Sequence, residues 1–260
     1  VPGHTSPTTT SRRRDVILLG IAVTVAVALG AVLLIRQGHH DNAAPSTPGT
    51  QGGASSVTAP TSATAADRPS LGPLGEVARR EAGDPLAQGS PTAPIVLIEF
   101  ADLRCPFCAQ FSRQTEPVLV ERYVKKGVLR IEWRDMPIFG AQSTAAARAA
   151  RAAAAQGWFW PFVQTVYAAA PSTGHPDLTA ATLHDLARKA GVPDLVRFDA
   201  DSTSTQFDAA IHADLEQGQS LGIPSTPAFS VNGHPVLGAQ PTDVFTTLID
   251  QLVAGKPITG

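Results

Sequence analysis

A nearly unbroken apolar, β-branched run, Ala93 to Leu103 (APIVLIEFADL), ends two positions short of Cys105-Pro106-Phe107-Cys108. This junction constrains the chain more than any other feature. A continuous apolar run of this kind suits a central strand buried on both faces. After it the period changes. Phe107, Phe111, Val118, Leu119 and Tyr123 recur at helical spacing, and Gly127 is a plausible stop. Pro106 fits the first turn of a helix, where its missing N–H costs nothing. The pattern places a Cys-x-x-Cys pair where a buried strand gives way to a helix. Pro117 is expected to kink that helix or divide it in two.

The chain has 260 residues and only two cysteines, both in this motif, so it is not a disulfide-stapled scaffold. A structural zinc site takes four ligands, and one Cys pair without a nearby His pair does not supply them; no metal or other cofactor is expected. A disulfide closing so small a loop adds little stability. Redox exchange is the chemistry the pair suits best, because it needs a thiolate attacker and a second thiol to resolve the mixed disulfide. Cys105 at a helix start meets unpaired N–H groups and the positive end of the helix dipole, which favour its thiolate. Cys108, three residues on, faces inward as the resolving thiol. Arg104 either adds positive potential or is simply solvated.

Beyond the first strand and helix, Val128 to Met136 alternates as the next strand. STAAARAARAAAAQG, WFWPFVQTVYAA, DLTAATLHDLARKAGV and STQFDAAIHADLEQGQSLG then give a helical block, about residues 140–221. PAFSVNGHPVL gives two strands joined by Asn232-Gly233, a strong hairpin signal, and TDVFTTLIDQLVAG closes the chain as an amphipathic helix. Trp158, Phe159, Trp160, Phe162 and Tyr167 crowd the helical block; they fill a core, or a few of them line an apolar groove for unfolded protein.

The amino-terminal third has a different character. Val16 to Ile35 is a 20-residue run whose only clearly polar member is Thr24, and a helix of that length spans about 30 Å, a bilayer core. Arg12, Arg13 and Arg14 precede it, so residues 1–15 are expected in the cytoplasm and everything after Ile35 outside. The alternative is a cleaved signal peptide, although the run exceeds the usual signal core and no clean cleavage site follows at once. Residues 36–85, rich in Thr, Ser, Pro, Gly and Ala, are expected to form a flexible linker, with the folded domain at 86–260. The net charge of −2 gives no sign of a nucleic-acid partner.

The order of elements is strand, helix carrying Cys-x-x-Cys, strand, helical block, strand hairpin, helix: an α/β, thioredoxin-like fold with an inserted helical domain. On IVLIEFADLRCPFC, AAAAQGWFWPFVQTVYA, LGIPSTPAFSVNG and the terminal helix, roughly Gln88 to Leu252, the chain resembles the DsbA-like thiol–disulfide oxidoreductases, in particular their membrane-anchored Gram-positive branch.

Glu99 stands in the otherwise apolar strand, six positions before Cys105. Charged residues are rarely buried without a role, and a buried carboxyl with a raised pKa passes protons to and from Cys108. The resemblance assigns an acidic residue at this position that same task; the plainer reading is a strand-end Glu facing solvent. The resemblance also implies a cis-proline opposite the cysteines, with the preceding residue holding substrate backbone. Thr226-Pro227 fits that pattern, and Pro224 competes with it. Pro106 and Phe107, between the cysteines, are counted with Thr226 and Pro227 among the residues that meet substrate. Pro-Phe departs from the Pro-His of the best-known DsbA proteins, which puts the strength of oxidation in question.

These readings combine into an extracytoplasmic, single-pass membrane enzyme that forms disulfides in reduced or unfolded exported proteins. The resemblance implies a membrane quinone-linked partner that reoxidises it. Two rivals stay open: a reductase or isomerase of the same fold, and a surface-anchored chaperone-like binding module.

Overall fold

The apolar run becomes β2 (Ile95–Ala101), every residue of which is buried. A computed structural model describes residues 71–256 of the chain. In it β2 is the central strand of a five-stranded sheet. The other strands are β1 (Ala87–Gln88), β3 (Leu129–Asp135), β4 (Ala228–Val231) and β5 (His234–Leu237), and the order across the sheet is β1-β3-β2-β4-β5. β2 and β3 run parallel, with Glu99 beside Trp133; β4 lies antiparallel on the other side of β2, with Phe229 beside Glu99. Asn232 and Gly233, both at positive φ, turn β4 into β5, which is the two-residue turn that Asn-Gly favours.

Helix α1 (Pro106–Gln114) follows β2 and carries the second cysteine. As expected from Pro117, the helix does not continue. It breaks at Thr115 and resumes as α2 (Glu116–Leu119) and a π-helical turn, Val120–Val124. α1 and the terminal helix α8 (Thr242–Val253) cover one face of the sheet. Phe111, Phe229 and Phe245 meet there with ring centroids 4.4 to 5.2 Å apart. Each buried ring of this size stabilises the fold by about 2–3 kcal/mol through apolar area alone. Ile95 and Leu97 belong to the same cluster, while Val96, Ile98 and Phe100 point to the opposite face. By strand alternation Glu99 therefore lies on the α1 side.

Between β3 and β4 are five helices: α3 (Ala141–Ala154), α4 (Phe159–Ala169), α5 (Ala180–Ala190), α6 (Leu195–Thr203) and α7 (Asp208–Ser220). Alanines of α3 are fully buried, so this helix packs closely, and Phe159, Phe162, Tyr167 and Phe198 fill the space around it.

The far face of β3 departs from the usual pattern. Arg130, Glu132 and Arg134, which an alternating strand would turn to solvent, are buried. The segment ahead of β1 covers them. Backbone N–H groups of Arg79 and Arg80 donate to the Glu132 carboxylate at 2.9 and 2.8 Å, and Arg130 and Arg134 bind it from either side. Farther back, Gly72 and Leu74 N–H donate to the carbonyls of Asn232 and Gly233. Residues 72–81, within the span assigned to the flexible linker (36–85), are thus bound to the domain, and the folded unit begins before Leu86. The expected membrane helix at 16–35 lies outside the described residues; among those, no helix is long and apolar enough to cross a membrane.

Candidate active site

Cys105 caps the N-terminus of α1, with Pro106 in the first turn. Its position is set from behind by Asp102, whose carbonyl accepts the Cys105 N–H at 2.9 Å and the Tyr167 hydroxyl at 3.1 Å. The buried Asp102 carboxylate accepts N–H groups of Arg104, Ile138 and Phe139. One turn residue thus fixes both the active-site corner and the entrance to the helical insertion.

The structure holds Cys105 and Cys108 as buried free thiols. The Cys105 sulfur accepts the Cys108 N–H at 3.4 Å and lies 3.2 Å from the Thr226 carbonyl. Its pKa is brought down from 9.0 to about 6. The largest cause is the hydrogen bond from the Cys108 thiol; burial opposes it, and Thr226 with the N–H groups of Cys108 and Phe107 completes the shift. Thr226 Oγ1 is buried without another hydrogen-bond partner among the described residues, so it is available to a thiolate. Cys108 has no exposed surface, and its pKa is pushed well up, first by burial and then by Cys105 and Glu99.

Glu99 is 2 % exposed, so it is not a strand-end residue facing solvent. Burial, then the charges of Glu116 and Cys105, hold its pKa well above the carboxylate range. Its Oε1 has no hydrogen-bond partner among the described residues. The Thr226-Pro227 peptide is cis, and both residues are buried, whereas Pro224 is exposed. Phe107 is 60 % exposed, and Pro106 half-buried.

A cleft of about 660 Å³ opens beside Cys105, walled by Phe107, Phe139, His175, Thr226 and Gln240. Arg104 is half-buried, and its guanidinium donates to the carbonyls of Pro176 and Phe139 at 3.0 and 2.6 Å. Of the aromatics expected to choose between core and groove, Phe159, Phe162 and Tyr167 are core, and none of the five lines this cleft. Asp102, Phe139 and His175 were not singled out by sequence. His175 sits against the Phe139 ring, 4.2 Å between centroids, and its Nδ1 lies 2.9 Å from the Arg104 carbonyl. No local pattern marks it, because the approach joins a loop of the insertion to the turn after β2.

A family model described as thioredoxin matches residues 81–251. The chain belongs to the thioredoxin family. Its relatives include disulfide bond formation proteins. It is 25 % identical over 187 residues to disulfide bond formation protein D of Bacillus subtilis, covering 67 % of this chain and 82 % of that one. It is also 32 % identical over 173 residues to the Na(+)/H(+) antiporter NhaA 1 of Mycolicibacterium gilvum, over 65 % of this chain but only 26 % of the antiporter. The chain therefore spans about a quarter of that relative's length. In fold, the crystal structure of oxidised BdbD from Bacillus subtilis is similar, with a TM-score of 0.63 at 22 % identity over 72 % of this chain and all of that one. This thioredoxin-family domain thus places a sulfur whose thiolate is favoured at the cleft wall and, behind it, one held as a thiol, the asymmetry that thiol–disulfide exchange uses.

Proposed function

We propose that the chain is an extracytoplasmic dithiol oxidase that transfers a Cys105–Cys108 disulfide to the cysteines of exported proteins. The observation that carries this reading is the contrast between the two sulfurs. The thiolate of Cys105 is stabilised to about pH 6, whereas Cys108 is buried and held as a thiol. A disulfide is a strong oxidant when its reduced form is stabilised, and stabilising the Cys105 thiolate does that.

In the oxidised enzyme a substrate thiolate attacks the Cys105 sulfur. The S–S bond breaks, and Cys108 leaves as a thiolate that takes the proton of Glu99. A second substrate thiolate attacks the substrate sulfur of the mixed disulfide and expels Cys105. The substrate gains a disulfide, two electrons pass to the enzyme, and the dithiol form remains. Cys105 is the better leaving group because its thiolate is the more stable one. The Thr226-Pro227 loop, one wall of the cleft, is the place for substrate backbone, and Phe107 with Pro106 supplies apolar contact. A membrane quinone-linked partner takes the two electrons and restores the disulfide. The amino-terminal segment, as a single-pass anchor, keeps the domain near that partner.

The test is the reduction potential of the protein equilibrated with glutathione buffers. A value near about −120 mV, typical of a strong disulfide donor, supports the reading. A value near about −270 mV marks a reductase instead. A Cys105→Ser variant that keeps full activity toward unfolded protein indicates a binding module.

A further inference from the structure

The exchange chemistry above gives the side chain of Arg104 no task, yet it bridges the active-site corner and the helical insertion. Arg104 immediately precedes Cys105. Its Nη1 donates to the Phe139 carbonyl at 2.6 Å, and its Nε to the Pro176 carbonyl at 3.0 Å. Its own carbonyl accepts the Nδ1–H of His175 at 2.9 Å, since a carbonyl has no proton to give. Phe139 lies between β3 and α3, whereas His175 and Pro176 lie between α4 and α5. One residue therefore ties two separate segments of the insertion to the position next to the reactive sulfur. The rings of Phe139 and His175 in turn stack on each other, 4.2 Å between centroids.

The loop between α4 and α5 has little else to fix it. Residues 171–175 are exposed, and among the described residues no main-chain to main-chain hydrogen bond involves residues 171–177. Three hydrogen bonds hold that stretch: two to Arg104, at His175 and Pro176, and one from Gln142 of α3 to Asp177. Its inner edge is part of the active-site mouth. Gly174 and His175 line the cleft with Cys105 and Phe107. Ser172, Thr173 and Gly174 line an adjoining hollow of about 410 Å³ with Pro106, Phe107 and Arg113. Gly174, at a φ of 75°, lets the chain turn there. The guanidinium suits this place because its rigid planar fork reaches two carbonyls at once.

We propose that Arg104 is a positioning residue for substrate recognition: it holds Phe139 and the loop at 171–176 in place as a wall of the cleft, and so sets how tightly a polypeptide is bound there. The inference rests on the reading above that the cleft receives the cysteine-bearing segment of a substrate. A wall that is ordered in advance need not be ordered when the polypeptide arrives, so its binding is stronger. Arg104 acts through Phe139 and His175, and the exchange steps at Cys105 and Cys108 proceed without it.

The test uses the oxidised full chain in single turnover with a reduced peptide carrying two cysteines, and separately with dithiothreitol, a dithiol too small to need the wall. In Arg104→Ala the half-saturating peptide concentration rises about tenfold, the scale of one lost hydrogen bond to a charged group, while the limiting rate and the dithiothreitol rate stay at wild-type values. Arg104→Lys keeps the charge, but one ammonium does not span two carbonyls, so peptide binding stays weakened. In Arg104→Ala/His175→Ala the two losses do not multiply, because His175 has already lost its place. An equal change in the dithiothreitol rate marks a general structural loss and overturns the inference. Wild-type binding by Arg104→Lys beside weak binding by Arg104→Ala makes charge the cause and overturns it too. If Arg104→Ala binds the peptide normally while Phe107→Ala does not, the wall does not depend on Arg104, and the inference falls with the substrate cleft intact. If neither variant changes peptide binding, the cleft is not the substrate site, and the reading above falls together with this one.

Discussion

The sulfur of Cys105 lies 3.2 Å from the main-chain carbonyl of Thr226, a residue 121 positions further along the chain. This contact closes the active-site corner against the Thr226-Pro227 loop and makes one cleft from two distant segments. It also puts the Thr226 hydroxyl beside the sulfur that must carry charge.

The first prediction concerns that charge. The ultraviolet absorbance of the thiolate in the reduced protein titrates with a midpoint near pH 6, and alkylation of Cys105 accelerates through that pH and levels off above it. Thr226→Val raises the midpoint. Because the folded pKa is depressed, the thiolate stabilises the reduced protein fully above the unfolded value of 9.0, and this contribution is lost as the pH falls through about 6. A midpoint near 9 in the wild-type protein rules the arrangement out.

The Cys108 thiol is the largest single influence on Cys105, ahead of Thr226. Cys108→Ala is therefore expected to raise the Cys105 midpoint by more than Thr226→Val does, and to leave mixed disulfides with thiol substrates unresolved. Mass spectrometry of the reacted variant, together with the same titration, decides this. An unshifted midpoint removes the thiol–thiolate hydrogen bond from the account.

Phe107 presents 60 % of its surface at the mouth of the cleft. Phe107→Ala is expected to weaken binding of a cysteine-containing peptide by roughly tenfold, the scale of one partly covered aromatic contact, with the Cys105 titration little changed. Steady-state kinetics with such a peptide places the loss in KM. An equal loss in kcat with no change in KM contradicts the contact.

Glu132 lies at the centre of the buried charges on β3. Burial alone raises its pKa, but Arg130, Arg134 and the N–H groups of Arg79 and Arg80 overcome this and bring it from 4.5 to about 2. A carboxylate depressed in this way contributes stability above pH 4.5 that fades as the pH falls toward 2. Glu132→Gln is expected to cost about 3 kcal/mol in denaturant unfolding at neutral pH and to flatten the acid limb of the stability profile. Equal stability of the two proteins at neutral pH disproves the network's role.

What the sequence disclosed follows from which interactions are local. The strand at Ile95–Ala101 was legible because burial on both faces leaves an unbroken apolar run, and the hairpin because Asn232-Gly233 supplies the positive φ angles a two-residue turn requires. The break after Gln114 followed from Pro117. The place of Cys105 and Cys108 at a helix start was legible because that pattern is local, and the burial of Glu99 because a charge interrupts an apolar run there. The covered face of β3 was not, since Arg130, Glu132 and Arg134 look like a solvated edge until residues 72–81 are laid over them. Nor were Asp102 and His175, whose partners come from elsewhere in the chain. The expected membrane helix at 16–35 lies outside the described residues.

The helical insertion leaves the sheet just past Phe139 and returns just before Thr226, and both residues wall the cleft. The two seams of the insertion therefore meet at one mouth, while the sulfurs and Glu99 belong to the sheet and α1. Phe107 and Thr226 of that mouth stay with the elements that carry the sulfurs, whereas Gly174 and His175 come from the insertion. A change in the five-helix cassette therefore reaches the mouth directly at Gly174 and His175, and reaches the dithiol through Tyr167 and its hold on Asp102.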